Sequence, residues 1–144
     1  MNVLFDTNVV LDALLDREPW ADAAVDLFDR VESGDFVGLL GATTVTTIHY
    51  IARRNVGAGS ADGMMRDLLR LFEVAAVNRA VLEEALALSF DDFEDAVLHE
   101  AGRIAGAGAV VTRDPAGFSA ATLRVHDPAT LAAALDAAGQ EGRS

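Results

Sequence analysis

Residues 89–114, SFDDFEDAVLHEAGRIAGAGAVVTRD, constrain the fold more than any other stretch of this chain. They read in order as an acidic cluster, an amphipathic helix, a Gly/Ala-rich turn and a short apolar strand that runs out into Thr112, Arg113 and Asp114. Phe93, Ala96, Val97, Ala101 and Ile104 recur at helical spacing, so one stripe of the helix faces a core. In a right-handed βαβ crossover the helix runs antiparallel to the strand it feeds. Its first turn then lies at the edge of the sheet where that strand ends. Asp95, in the first turns, and Asp114 are therefore expected to meet. The apolar run Val3-Leu4-Phe5 stops at Asp6. As a second parallel strand it delivers another carboxylate to the same edge, where open α/β sheets bind their ligands.

The rest of the chain repeats the alternation. After a strand at 2–5, a short helix over 7–15 carries Val9, Val10, Ala13 and Leu14 and is capped by Asp6 or Thr7. A longer helix over 19–32 presents Trp20, Ala23, Ala24, Leu27, Phe28 and Val31 on one face. A strand at 36–40 leads to a helix over 44–54, which by the crossover argument begins at the same edge and brings Thr46 and Thr47 near Asp6. Asn55-Val56-Gly57-Ala58-Gly59-Ser60 reads as a loop between two helices. Then follow a helix at 61–71, a strand at 72–77, a helix at 81–88 and the opening stretch. A turn at 115–118, a strand at 122–125 and a helix at 128–138 complete the pattern. The expectation is one three-layer α/β/α sandwich with a mostly parallel central sheet. It occupies residues 1–138, with 139–144 as a flexible C-terminal tail.

Composition narrows the chemistry. At 144 residues the chain can bury a core as one domain. It has no cysteine, which excludes thiol nucleophiles and zinc-thiolate sites. All 11 basic residues are arginine, so no lysine-dependent mechanism is open to it. A formal net charge of 11 − 23 = −12 argues against broad, nonspecific capture of nucleic acid. The N-terminus enters a strand at once, and no apolar run reaches membrane-spanning length, so a cytoplasmic protein without a membrane partner is expected.

Each carboxylate has an ordinary structural explanation. Asp6 can cap a helix, Asp114 before Pro115 suits an N-cap, and Asp91, Asp92, Glu94 and Asp95 complement a helix macrodipole. Their joint placement is less ordinary, because like charges gathered at one edge must protonate, separate or bind a cation. With no lysine and no histidine pair at ligand spacing, oxygen-only ligation of Mg²⁺ or Mn²⁺ is the natural resolution, and such sites serve phosphoryl-transfer chemistry. His99, one turn beyond Asp95, can donate to it but reads better as a packing residue. His49 and His126 lack a partner pattern. Arg53, Arg54 and Arg113 are candidates for phosphate contacts, although Arg53 and Arg54 equally complement the end of a helix. Met64 and Met65 read as helix packing near a partner surface.

Four stretches make the chain recognisable: VLFDTNVVLDALL at 3–15, ATTVTTIHYIARR at 42–54, DFEDAV at 92–97 and AVVTRDPAGF at 109–118. In order and spacing they resemble the PIN domain, and within it the VapC-like toxin ribonucleases. The resemblance implies a metal-dependent endoribonuclease, the toxin of a type II toxin-antitoxin pair, whose acids bind Mg²⁺ or Mn²⁺ and activate water for attack on RNA. It also implies an antitoxin partner and a homodimer. Carried over by position, the family aspartates fall on Asp6, Asp95 and Asp114, while Thr7, Asn8 and Thr112 match the polar residues that hold them. Two positions depart from the pattern. Thr47 stands where the family usually has a glutamate, and Gly117 stands where relatives with a TRN form place a further acid. Glu94 or Asp92 can compensate for the lost charge. The alternative is a weakened or inactive PIN-fold protein acting by binding RNA or protein. Receiver domains and haloacid-dehalogenase-like phosphatases also set aspartates after parallel strands, but both require a lysine that this chain lacks.

Overall fold

The computed structural model describes residues 1–141. Strand β1 (Asn2–Phe5) is followed by α1 (Thr7–Leu14), α2 (Ala21–Glu32), β2 (Val37–Gly41), α3 (Ala42–Val56), α4 (Ala58–Leu71) and β3 (Glu73–Ala75). Then come α5 (Arg79–Leu86), α6 (Phe93–Ile104), β4 (Ala109–Val111), a single 3-10 turn at Pro115–Phe118, β5 (Arg124–His126) and α7 (Pro128–Glu141). The five strands form one sheet in the order β3-β2-β1-β4-β5, every neighbouring pair parallel. This is the three-layer α/β/α arrangement that the alternation predicts.

β1 lies at the centre of the sheet because it is apolar on both faces, as a strand covered on both sides must be. Val3, Leu4 and Phe5 are fully buried. Leu4 pairs with Leu39 on one side and Val110 on the other. Val3 and Phe5 pack into a core with Leu27, Leu40, Ile48 and Leu68, which come from α2, β2, α3 and α4. Phe5 sits among three aromatic rings, edge-on to Phe72 at 5.0 Å and to Phe28 at 6.1 Å and stacked with Phe36 at 6.1 Å. Leu4 points the other way, toward Leu98 of α6 and Phe118. A Cβ on Gly102 would stand 2.6 Å from Leu4 Cδ2, so the missing side chain is what lets α6 lie close on β1. That close seat fixes the start of α6 over the ends of β1 and β4.

Two boundaries differ from the sequence reading. Residues 55–60 are helical except at one point: α3 runs to Val56 and α4 starts at Ala58. Gly57 alone turns the chain, at φ +88°, a conformation open to glycine at little cost. The Gly, Ala and Ser around it stay exposed, but Ala52 and Ala61 on either side are fully buried, and that packing of α3 and α4 outweighs the weak local propensity between them. At the other end, α7 continues through residues 139–141, three residues into the segment expected as a tail. The remainder of that segment, 142–144, lies outside the described residues. Smaller offsets place β2 at Val37–Gly41, β3 at Glu73–Ala75 and β5 at Arg124–His126. Among the described residues no helix is long and apolar enough to cross a membrane.

Candidate active site

The first carboxylate is set by the end of β1. Asp6 N–H donates to Val111 O at 3.0 Å, which ties the end of β1 to the end of β4. The Asp6 side chain caps α1, with Oδ1 accepting from Thr7 N–H at 2.8 Å. Its other oxygen, Oδ2, accepts from Thr112 Oγ1 at 2.8 Å, and Thr112 Oγ1 itself accepts from Asp114 N–H at 3.0 Å. Thr112 is fully buried and links two of the aspartates through one hydroxyl. Asn8 Oδ1 accepts from Arg113 N–H at 3.3 Å, pinning the strand exit to α1.

The start of α6 supplies the second group. Asp92 is its N-cap and accepts from Asp95 N–H at 3.1 Å, so Asp92 is spent on the helix end. Asp95 and Glu94 lie in the first turn and line a cleft of about 380 Å³ together with Asp6 and Asp114. A Cβ on Gly117 would stand 3.1 Å from Asp114 Oδ2 and 3.6 Å from Asp95 Oδ2, so the two carboxylates close on the one residue without a side chain. Thr47, from the second turn of α3, donates to Glu94 Oε1 at 3.1 Å. The charge absent from α3 thus has a counterpart on α6, held by the threonine that stands in for a glutamate.

These neighbours raise the cost of ionisation. Asp95 is pushed up to about 7, first by burial and then by the charges of Asp6, Asp92, Glu94 and Asp114. Burial also raises Asp6, against the hydrogen bonds from Thr112 and Thr7, while Asp114 and Glu94 add to the rise. The donor set is entirely oxygen, which suits a hard divalent cation. Among the described residues no three of these groups stand at ligand spacing.

Of the remaining sequence candidates, Thr7, Asn8, Thr47 and Arg113 line the same cleft. Arg53 and Arg54 do not. They lie in the last turn of α3, about two turns past Thr47, where Arg54 Nη1 donates to Tyr50 Oη at 3.3 Å. His99 makes no bond to Asp95. It is fully buried, and its Nε2 accepts from Thr122 N–H at 3.1 Å and Leu123 N–H at 3.3 Å. Nδ1 therefore carries the proton and donates to Glu100 Oε1 at 3.2 Å. Burial holds the His99 pKa down, so the ring serves as a neutral strut between α6 and the segment that leads into β5. His49 pairs with Asp62 across α3 and α4 at 2.7 Å.

One cluster was not read from the sequence. Asp12, buried on α1, pairs with Arg17 Nε at 2.9 Å and with Arg113 Nε at 3.0 Å. Arg113 lies over the ring of Trp20, its Cζ 3.8 Å from the centroid. Arg17 also lines the acid cleft, so two guanidinium groups flank the four acids. The only available signal was an aspartate on the buried stripe of a short apolar helix, which demands a cation from somewhere.

A family model for the PIN domain matches residues 2–116, and the chain belongs to the PIN domain family. Solved structures with the same fold include VapBC2 from Rickettsia felis bound to a DNA fragment from its promoter. It is 11% identical, with a TM-score of 0.71, over 88% of this chain and 98% of that one. FitAcB from Neisseria gonorrhoeae is 21% identical, with a TM-score of 0.65, over 88% and 97%. The Mycobacterium tuberculosis toxin VapC20, described as cleaving the sarcin-ricin loop, is 16% identical, with a TM-score of 0.60, over 75% and 86%. No curated protein matches the chain by sequence.

Proposed function

We propose that this protein is a metal-dependent endoribonuclease and the toxin of a toxin-antitoxin pair. The observation that carries the reading is the gathering of Asp6, Glu94, Asp95 and Asp114 around one cleft at the carboxyl edge of a parallel sheet, in a PIN-family chain. Asp6, Asp95 and Asp114, with Glu94 as a fourth, are the residues that would hold Mg²⁺ or Mn²⁺. Bound there, such an ion supplies a more acidic water and neutralises charge on a phosphodiester. The chain's own part is positional. Thr112 and the Thr7 N–H hold the Asp6 carboxylate in one orientation, and Thr47 does the same for Glu94. Among the described residues, Arg17 and Arg113 are the positive groups lining the cleft, suited to the flanking phosphates of an RNA strand.

The decisive assay is cleavage of single-stranded or tRNA-like RNA by purified protein with Mn²⁺ or Mg²⁺, with Asp6→Asn alongside. Metal-dependent cleavage that the variant loses is the expected result, whereas activity that survives the substitution removes the assigned site.

The partner reading draws on the neighbours, several of which are toxin-antitoxin complexes. A short antitoxin segment seated over the cleft is the corresponding proposal here. A homodimer through α3 and α4 has narrower support than their composition suggests. Met65 and Leu68 are buried in the core and Met64 packs against it, leaving Tyr50, Val56 and Leu69 exposed on this helix pair. Light scattering on a sizing column should give twice the 15.2 kDa chain mass, and a monomer at all concentrations rejects the dimer.

A further inference from the structure

Arg113 belongs to two depressions at once. One is the acid cleft; the other, of about 300 Å³, is walled by Pro19, Trp20, Ala23, Pro128 and Ala129. That volume is at the small end of the range for ligand clefts. Trp20 is 42% exposed although Arg113 covers one face of its ring, so indole surface is left open at the rim. Asp12 anchors the guanidinium from below, which makes Arg113 a fixed post between the two depressions. Asp127 also lines the apolar side, its Oδ1 accepting from Thr130 N–H at 2.7 Å.

We propose that the Trp20 depression is a nucleobase subsite, taking the base next to the scissile phosphate of a single RNA strand. The inference rests on the ribonuclease reading and extends it to how the substrate is held. A backbone passing from the acids over Arg113 meets a cation at the crossing, and the following base meets aromatic and proline surface. Stacking on such surface is sequence-tolerant, because every base has a π-face. The Asp127 carboxylate repels phosphate from this depression while accepting from exocyclic amino groups, so the slot sorts base from backbone. Trp20 and Arg113 are substrate-binding residues in this scheme, and Asp12 is a positioning residue acting through Arg113.

The chain contains a single tryptophan, so its emission reports on this slot alone. The experiment titrates intact protein, in Mg²⁺, with a dye-labelled, nuclease-resistant phosphorothioate hexanucleotide. Anisotropy follows binding and Trp20 emission follows the slot. Both signals should saturate together. Trp20→Ala should weaken binding about 5- to 30-fold, and Trp20→Phe should restore most of it. Ala129→Phe, at an exposed position, should weaken binding by filling the slot and serves if Trp20→Ala fails to fold. Binding that leaves Trp20 emission unmoved, with Ala129→Phe equal to wild type, overturns the subsite while leaving the ribonuclease reading intact. Emission that responds to an arginine-rich peptide and not to the oligonucleotide also overturns it, in favour of a protein ligand. A wild-type protein that binds no oligonucleotide at all removes the ribonuclease reading and the subsite with it.

Discussion

Asp95→Asn is expected to abolish metal-dependent cleavage and, in the same protein, to raise thermal stability in chelator at pH 8. The folded-state pKa of Asp95 is about 7, above the ordinary carboxylate value near 4, so the folded chain binds this proton more tightly than the unfolded chain. The stability that the neutral form contributes is complete below about pH 4. It is lost as pH rises through about 7. Above that, the ionised carboxylate faces the charges of Asp6, Asp92, Glu94 and Asp114. Water in the open cleft screens much of this, and about 1–2 kcal/mol is a reasonable penalty at pH 8. The asparagine variant escapes it and should melt about 3–6 °C higher than wild type there, with the difference vanishing near pH 4. Mg²⁺ or Mn²⁺ should raise the wild-type melting temperature and leave the variant much less changed. A variant that melts below wild type at pH 8 in chelator would show that Asp95 is not under electrostatic strain. Loss of cleavage should reach about 100-fold or more, the scale of removing one preorganised electrostatic group.

The second large effect concerns Asp12. Replacing Arg17 and Arg113 together by glutamine leaves a buried carboxylate without a cation, and removing the partners of a buried charge costs about 3–5 kcal/mol. Urea unfolding should show that loss in the double variant. Each single variant should lose well under half of it, because the other guanidinium remains within 3.0 Å of Asp12. Additive single-variant losses would mean that the two arginines hold separate parts of the fold and do not share Asp12.

The parts of this site that were legible in the sequence are those fixed by order along the chain. Asp6 and Asp114 each follow an apolar run, and Asp95 opens a helix that feeds a strand. The crossover rule therefore brings them to one edge wherever the loops go. All three line the same cleft. What was not legible depends on side-chain reach. Nothing in the spacing of Thr47 and Glu94 announces that one hydroxyl and one carboxylate from different helices meet at 3.1 Å. Trp20 read only as part of a helix face, and its meeting with Arg113, like the reach of Arg17 to Asp12, depends on how the chain between α1 and α2 folds back. His99 is a packing residue, as its place on the helix suggests. What the spacing did not show is its partners, the backbone N–H groups of residues 122–123 toward which α6 turns it.

That histidine strut bears on where the unit ends. The segment matched to the family stops at 116, yet β5 completes the sheet beside β4, and Leu131 of α7 is wholly shielded from solvent within the main core. An expression clone trimmed at the boundary of the match would therefore strip the neighbour from an interior strand and uncover a hydrophobic seam. Sticky, self-associating material from such a clone would report on the cut and not on the activity of the intact protein.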